Sequence, residues 1–181
     1  MITARLARLR VPLGFLSGIA VIWLARPNRL SLAIGIPIAV LGESLRVWAS
    51  GHLNKSREVT VSGPYRWFAH PLYVGSSIMA AGLAVAAASA AVAVLIAAYL
   101  GATLTAAIRS EEAFLRSAFG DRYDRYRRGR SASGVDAERR FSFAQARANR
   151  EQRAVAGLIV GVLLLILKAA YNGAFWRAAG P

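Results

Sequence analysis

The chain has 181 residues, no cysteine, 56% hydrophobic content and a formal charge of +14, with a mean hydropathy of +0.41. This composition excludes an ordinary soluble domain, the length leaves no room for a separate soluble catalytic domain, and the missing thiols exclude disulfides, thiol catalysis and a Cys-based metal centre. The arginines flank apolar stretches, a positive-inside bias with attraction to anionic lipid headgroups as a second use, rather than a nucleic-acid surface.

Five apolar segments follow one another, so we expect one all-α, multi-pass integral membrane domain over 1–181 with about five transmembrane helices. Residues 1–50 hold the first two spans, 51–128 a core, 129–153 a basic cytoplasmic insertion and 154–181 the last span and tail. The first segment runs from about Val11 to Ala25. Arg5, Arg8 and Arg10 before it resemble the start of a signal peptide, but no small-x-small cleavage site follows, and an uncleaved helix is the better reading. The second runs from about Leu30 to Trp48, with Pro37 as a kink site and Glu43 and Arg46 three residues apart on one face. A structural pair is the plainer account of those two, and a part in closing a ligand site the sharper one.

The third and fourth segments, about Leu72–Ala88 and Ala90–Ile108, are rich in Ala, Gly75, Gly82 and Gly101, which suits two helices packed closely as a hairpin. Such a hairpin returns Glu111 and Glu112 to the membrane face of His70-Pro71-Leu72-Tyr73. The stretch through Tyr126 reads as a continuation of the fourth helix, with Phe114, Leu115, Phe119, Tyr123 and Tyr126 at helical spacings. Gly129–Gly134 reads as a break, and Ser142–Gln152 as a basic helix lying on the inner surface, with Phe141 and Phe143 at its start. The last span runs from about Ala154 to Tyr171. Its Gly157 and Gly161 form a GxxxG pair, read first as packing within the chain and alternatively as a homodimer contact. The charge bias puts the N-terminus in the cytoplasm, and the richness in Ala, Gly and Arg points to a bacterial inner membrane.

Chemistry gathers at the hairpin mouth. A solvated helix end is the plain account of Glu111 and Glu112, but an acidic pair inside a basic face also suits a cationic ligand. His70 lies at a helix N-terminus, where the dipole favours a neutral ring able to stack on or hydrogen-bond a nucleoside. Tyr65 and Tyr73 read individually as interfacial aromatics. Two histidines, His52 and His70, are too few for a His-rich metal centre.

Taken together, the blocks are more specific. The run Val61-Ser62-Gly63-Pro64-Tyr65-Arg66-Trp67-Phe68-Ala69-His70-Pro71-Leu72-Tyr73-Val74-Gly75, then Glu111-Glu112, then Phe119-Gly120-Asp121-Arg122-Tyr123-Asp124-Arg125-Tyr126, resembles the isoprenylcysteine carboxyl methyltransferases and the broader membrane phospholipid methyltransferases. The resemblance covers Glu58 to Tyr126. It implies an S-adenosylmethionine-dependent methyltransferase acting on a lipid-like acceptor taken from the bilayer, bearing a carboxyl, amine or hydroxyl group. It implies a cofactor pocket lined by Tyr65, His70, Pro71, Leu72 and Tyr73, with one of Glu111 and Glu112 on the cofactor's ammonium and Arg109 facing the substrate. No single catalytic residue is implied. The chain departs from the pattern at Ala69, where the family commonly has Arg; Arg66 is the nearest guanidinium. Two other functions are weighed beside it: a membrane reductase using a nicotinamide cofactor, whose phosphates an acidic pair would repel, and a non-enzymatic scaffold.

Overall fold

The fold is that of a multi-pass helical membrane protein. A computed structural model describes residues 18–55, 58–128 and 139–175, and these contain no strand. A helical stretch over 18–24 (α1) precedes α2 (Arg29–His52), α3 (Pro71–Ala87), α4 (Ala90–Phe119), α5 (Asp121–Arg127), α6 (Phe143–Ala148) and α7 (Gln152–Tyr171). Of the described helices, α2, α4 and α7 are long and apolar enough to cross a membrane, and α3 is shorter at 17 residues. The first predicted span lies partly outside the described residues.

Local signals set the helix boundaries. Asn28 and Ser31 form a capping box at the start of α2, with Asn28 Oδ1 accepting from the Ser31 N–H at 2.9 Å. Pro71 opens α3, where its missing N–H costs nothing. Ala88 in the left-handed region ends α3, and the Ser89 side chain caps α4, so the hairpin turns within two residues. Gly120, at φ 45 and ψ −124, ends α4 in a conformation that glycine reaches without strain. The helix therefore does not continue through Tyr126. The chain turns, and α5 comes back onto Val59 and Val61 with Tyr123 buried between them.

The tight packing in this molecule is between α2 and α3, not between α3 and α4. A methyl group built on Gly35 would lie 2.5 Å from the Gly82 carbonyl oxygen, and one on Gly42 would lie 2.6 Å from that of Gly75. The relation is reciprocal, at 2.6 Å from Gly82 to Gly35 and 2.7 Å from Gly75 to Gly42. Two antiparallel backbones in such contact gain dispersion and weak Cα–H···O bonds, the main attractions open to helices already surrounded by hydrocarbon. Gly101, by contrast, meets nothing within 4 Å among the described residues, and neither do Gly157 and Gly161. Among the described residues, nothing packs against the GxxxG pair. At one end of the molecule Ala25, Leu32, Ala86, Ala87, Val92, Leu165 and Ala169 form a buried cluster that joins α2, α3, α4 and α7.

At the other end the basic segment does not lie free on a surface. It caps α2. The Ser142 N–H donates to the Gly51 carbonyl at 3.2 Å. Gln145 Nε2 reaches the Leu53 carbonyl at 2.8 Å, and Asn149 Nδ2 reaches those of Ser50 and Leu53 at 2.8 Å each. These bonds satisfy carbonyls that a helix end leaves unpaired. Arg139 pairs with Glu58. The Gly129–Gly134 break lies outside the described residues.

Candidate active site

The α3–α4 hairpin closes as its length predicts. His70 Nδ1 lies 3.5 Å from Glu111 Oε2, and Nε2 lies 3.3 Å from Glu112 Oε1. Both ring nitrogens thus face carboxylates from the next helix. Tyr73 stacks at an angle on the imidazole, with centroids 5.6 Å apart, and its hydroxyl bonds to Glu111. Burial opposes charge on the ring, but the hydrogen bonds and negative charges of Glu111 and Glu112 outweigh it and raise the His70 pKa. The two carboxylates in contact thus act on the ring against the helix dipole, which alone favours its neutral form.

The two glutamates are not equivalent. Glu112 is also held by Arg127 Nη2 at 3.2 Å and Arg116 Nη2 at 3.6 Å, and its side chain is 16% exposed. Glu111 is 38% exposed and is reached by His70 and Tyr73. Arg116 lies 3.7 Å from Asp124, so α5 is pinned to the site by charge. Arg127 is a residue that sequence reasoning missed, although its spacing from Asp121 and Asp124 marks a charged turn. Arg66, considered as a stand-in for the guanidinium absent at Ala69, is exposed at the end of the 3-10 turn Gly63–Arg66, and Arg116 and Arg127 bring guanidinium groups to Glu112.

Tyr126 latches the loop before α3. Its hydroxyl is shared between the carbonyls of Tyr65 at 2.8 Å and Phe68 at 3.1 Å. Burial first, and then the Tyr123 hydroxyl, pushes its pKa up to about 12, so it stays a donor. Tyr65 is buried. Burial, followed by the negative charge of Glu111, raises its pKa, so it too stays neutral. Pro71 is buried at the start of α3, with Leu72 and Tyr73 partly exposed beside it. Arg109 is exposed on α4, less than one turn before Glu111 and Glu112.

The paired tyrosines give opposite expectations. Tyr126→Phe loses a bond to the loop and should cost about 1 kcal/mol. The Tyr123 hydroxyl is buried without a hydrogen-bond partner among the described residues, so Tyr123→Phe should be neutral or stabilising by up to about 1 kcal/mol. Denaturant titration of the two variants in micelles checks the difference; equal losses would contradict the latch.

A second polar cluster lies nearby. Arg46 Nε is 3.2 Å from Glu43 Oε2 and its Nη2 is 2.8 Å from Glu151 Oε1, while Nη1 donates to the Ser76 hydroxyl. The pair expected within α2 is thus a buried triad joining α2, α3 and the start of α7. Its place in the core favours the structural account of Glu43 and Arg46.

Comparison with known proteins places these residues in context. Residues 30–122 match the model of the phospholipid methyltransferase family. The chain is 32% identical over 87 residues to the protein-S-isoprenylcysteine O-methyltransferase of Schizosaccharomyces pombe, covering 48% of this chain and 37% of that one. It is 33% identical over 88 residues to the cobalt-zinc-cadmium resistance protein CzcN of Cupriavidus metallidurans, covering 48% and 39%. It is 32% identical over 97 residues to the nickel-cobalt-cadmium resistance protein NccN of Alcaligenes xylosoxydans xylosoxydans, covering 52% and 44%. The matches thus span less than half the length of these curated relatives. No solved structure matches the chain.

Proposed function

This chain belongs to the phospholipid methyltransferase family, and from that premise we propose that it transfers a methyl group from S-adenosylmethionine to a lipophilic acceptor held in the bilayer. The observation that carries this reading is the pair of carboxylates closed on His70 beside Tyr73. A cofactor bearing sulfonium and ammonium charges is suited by acceptor-only carboxylates and by aromatic faces. Glu111 takes the ammonium, since Glu112 is already matched by two guanidinium groups. Tyr65, His70, Pro71, Leu72 and Tyr73 form the wall of the pocket, and Arg109 meets the acceptor at the membrane boundary. The bound cofactor supplies an activated methyl group for in-line displacement, which needs alignment more than acid or base. The chain's own task is then to hold the two reactants in line and keep water out. A nicotinamide dinucleotide fits less well, because the guanidinium groups of Arg116 and Arg127 are committed to Glu112.

The topology follows from charge. Arg116, Arg125, Arg127, Arg139, Arg140, Arg147, Arg150 and Arg153 lie at the site end, whereas Arg26, Arg29 and Lys168 lie at the other. The positive-inside bias places the site end in the cytoplasm, where the cofactor is, and puts the N-terminus on the same side. We place the protein in a bacterial inner membrane, on its Ala-, Gly- and Arg-rich composition. Gly157 and Gly161, open on α7, offer a face for a homodimer.

Purified full-length protein in detergent is expected to bind S-adenosylhomocysteine and not a nicotinamide dinucleotide by calorimetry. Well-folded protein that binds neither would sink the reading. The His70 proton and the cofactor's ammonium compete for the same carboxylates, so binding should release a proton. Affinity should rise with pH through the raised His70 pKa, by up to about tenfold per unit. Stability of the free protein runs the other way. The ring's contribution is complete below the ordinary value of 6.5 and is lost as pH rises through the raised one. Calorimetry in buffers of differing ionisation heat counts the proton; a count of zero would contradict the competition.

A further inference from the structure

An apolar groove of about 500 Å³ runs along the outside of α2 and α7. Its walls are Val40, Ser44 and Val47 on α2 and Val155, Leu158 and Ile159 on α7, with Trp48, Phe141 and Phe143 at one end. We propose that this groove holds the hydrocarbon chain of the methyl acceptor, a membrane lipid whose head lies toward Trp67 and the His70 cluster. The proposal rests on the methyltransferase reading and adds to it the place of the acceptor's tail.

The occupant follows from four observations. Both walls are helices of membrane-crossing length and composition, so the medium on which the groove opens is hydrocarbon. The volume lies within the range of about 300–1,000 Å³ usual for small-molecule sites. The groove is open rather than sealed at its rim, where Val40, Trp48, Phe143 and Ile159 are all exposed.

The fourth observation is continuity with the candidate site. Trp48 lines the groove and lies 5.7 Å, between ring centroids, from Trp67, three residues before His70. Phe141 meets Phe143 edge to face at 4.7 Å, and lies 6.2 Å from His52, itself 6.4 Å from Trp48. An aromatic rim of this kind suits the boundary between hydrocarbon and headgroup. Glu43 also lines the groove, and its charge is matched by Arg46, which in turn pairs with Glu151 and so ties α2 to the start of α7. Phe141, Phe143, Val155, Leu158 and Ile159 all fall after residue 122, beyond the stretch that matches the family. The groove is therefore half built from segments outside the stretch that matches the family, as suits an element that selects the acceptor.

The test uses the full chain in bilayer nanodiscs of phosphatidylethanolamine and phosphatidylglycerol carrying a diazirine in one acyl chain. Adducts after illumination are expected to concentrate on 40–48 and 155–159, and Ser44→Trp and Ile159→Trp, both at exposed rim positions, should remove most of them. Methyl transfer to lipid extract by these variants should show a KM about tenfold higher at unchanged kcat, with S-adenosylhomocysteine affinity unaltered. Adducts spread evenly over the exposed faces of α4 and α7, unchanged in the variants, would overturn the groove while leaving the methyltransferase reading standing. Adducts in the groove of a protein that does not bind S-adenosylhomocysteine would overturn the acceptor assignment together with that reading.

Discussion

Gly42→Ala is expected to force α2 and α3 apart and to cost about 3 kcal/mol of stability, the upper end of overpacking penalties. The new methyl group would meet backbone, the Gly75 carbonyl at 2.6 Å, rather than the end of a flexible side chain. Nothing at that contact can rotate away, so a whole helix must move. Gly82→Ala should act alike, since its methyl group would lie 2.6 Å from the Gly35 carbonyl. Movement of α3 also carries His70 and Ser76 with it, so cofactor binding should fall in the same variants. At protein concentrations low enough to keep the chain monomeric, Gly157→Ala and Gly161→Ala are the controls: among the described residues a methyl group at either meets nothing within 4 Å, and the change should stay within about 0.5 kcal/mol. Unfolding by SDS in mixed micelles measures all four. A loss in Gly42→Ala no larger than in Gly157→Ala would show that the α2–α3 contact is not close.

The contrast among these glycines shows what could be read from the sequence. Small residues at helical spacing announce that two backbones approach, but not which two. Gly75 and Gly82 were expected to serve the hairpin with α4 and instead serve α2. By contrast, the meeting of His70 with Glu111 and Glu112 was legible, because two apolar segments and a short turn must return the chain to one face. Ser89 caps α4 and Gly120 ends it, but neither signal was read from the sequence. The fold-back of α5 was not legible: Tyr123 and Tyr126 fit the helical period, and a period says nothing of a break in its middle. Glu151 could not be joined to Arg46 because no local rule links residues so distant in sequence. The electrostatics of His70 were legible only in part. The dipole is visible in the sequence, whereas two carboxylates at contact distance become visible only in the folded chain.

That same contact decides how the two glutamates should differ when neutralised. Glu111→Gln removes the carboxylate assigned to the cofactor's ammonium while leaving Arg116 and Arg127 paired with Glu112. Losing one partner of a hydrogen-bonded charge pair at an interface costs about 2–5 kcal/mol, and the partial exposure of Glu111 puts it near the lower end, about a 30-fold loss of affinity. Folding should be little affected. Glu112→Gln frees two guanidinium groups beside a site for a cationic ligand and unpins α5, so binding and thermal stability should both fall. In Glu111→Gln the proton released on binding should also diminish, since one of the two groups raising the His70 pKa is gone. Calorimetry with S-adenosylhomocysteine, paired with unfolding curves of each variant, separates the two roles. If Glu111→Gln binds as the parent does and Glu112→Gln fails to bind while remaining fully stable, the assignment of ammonium to Glu111 is reversed.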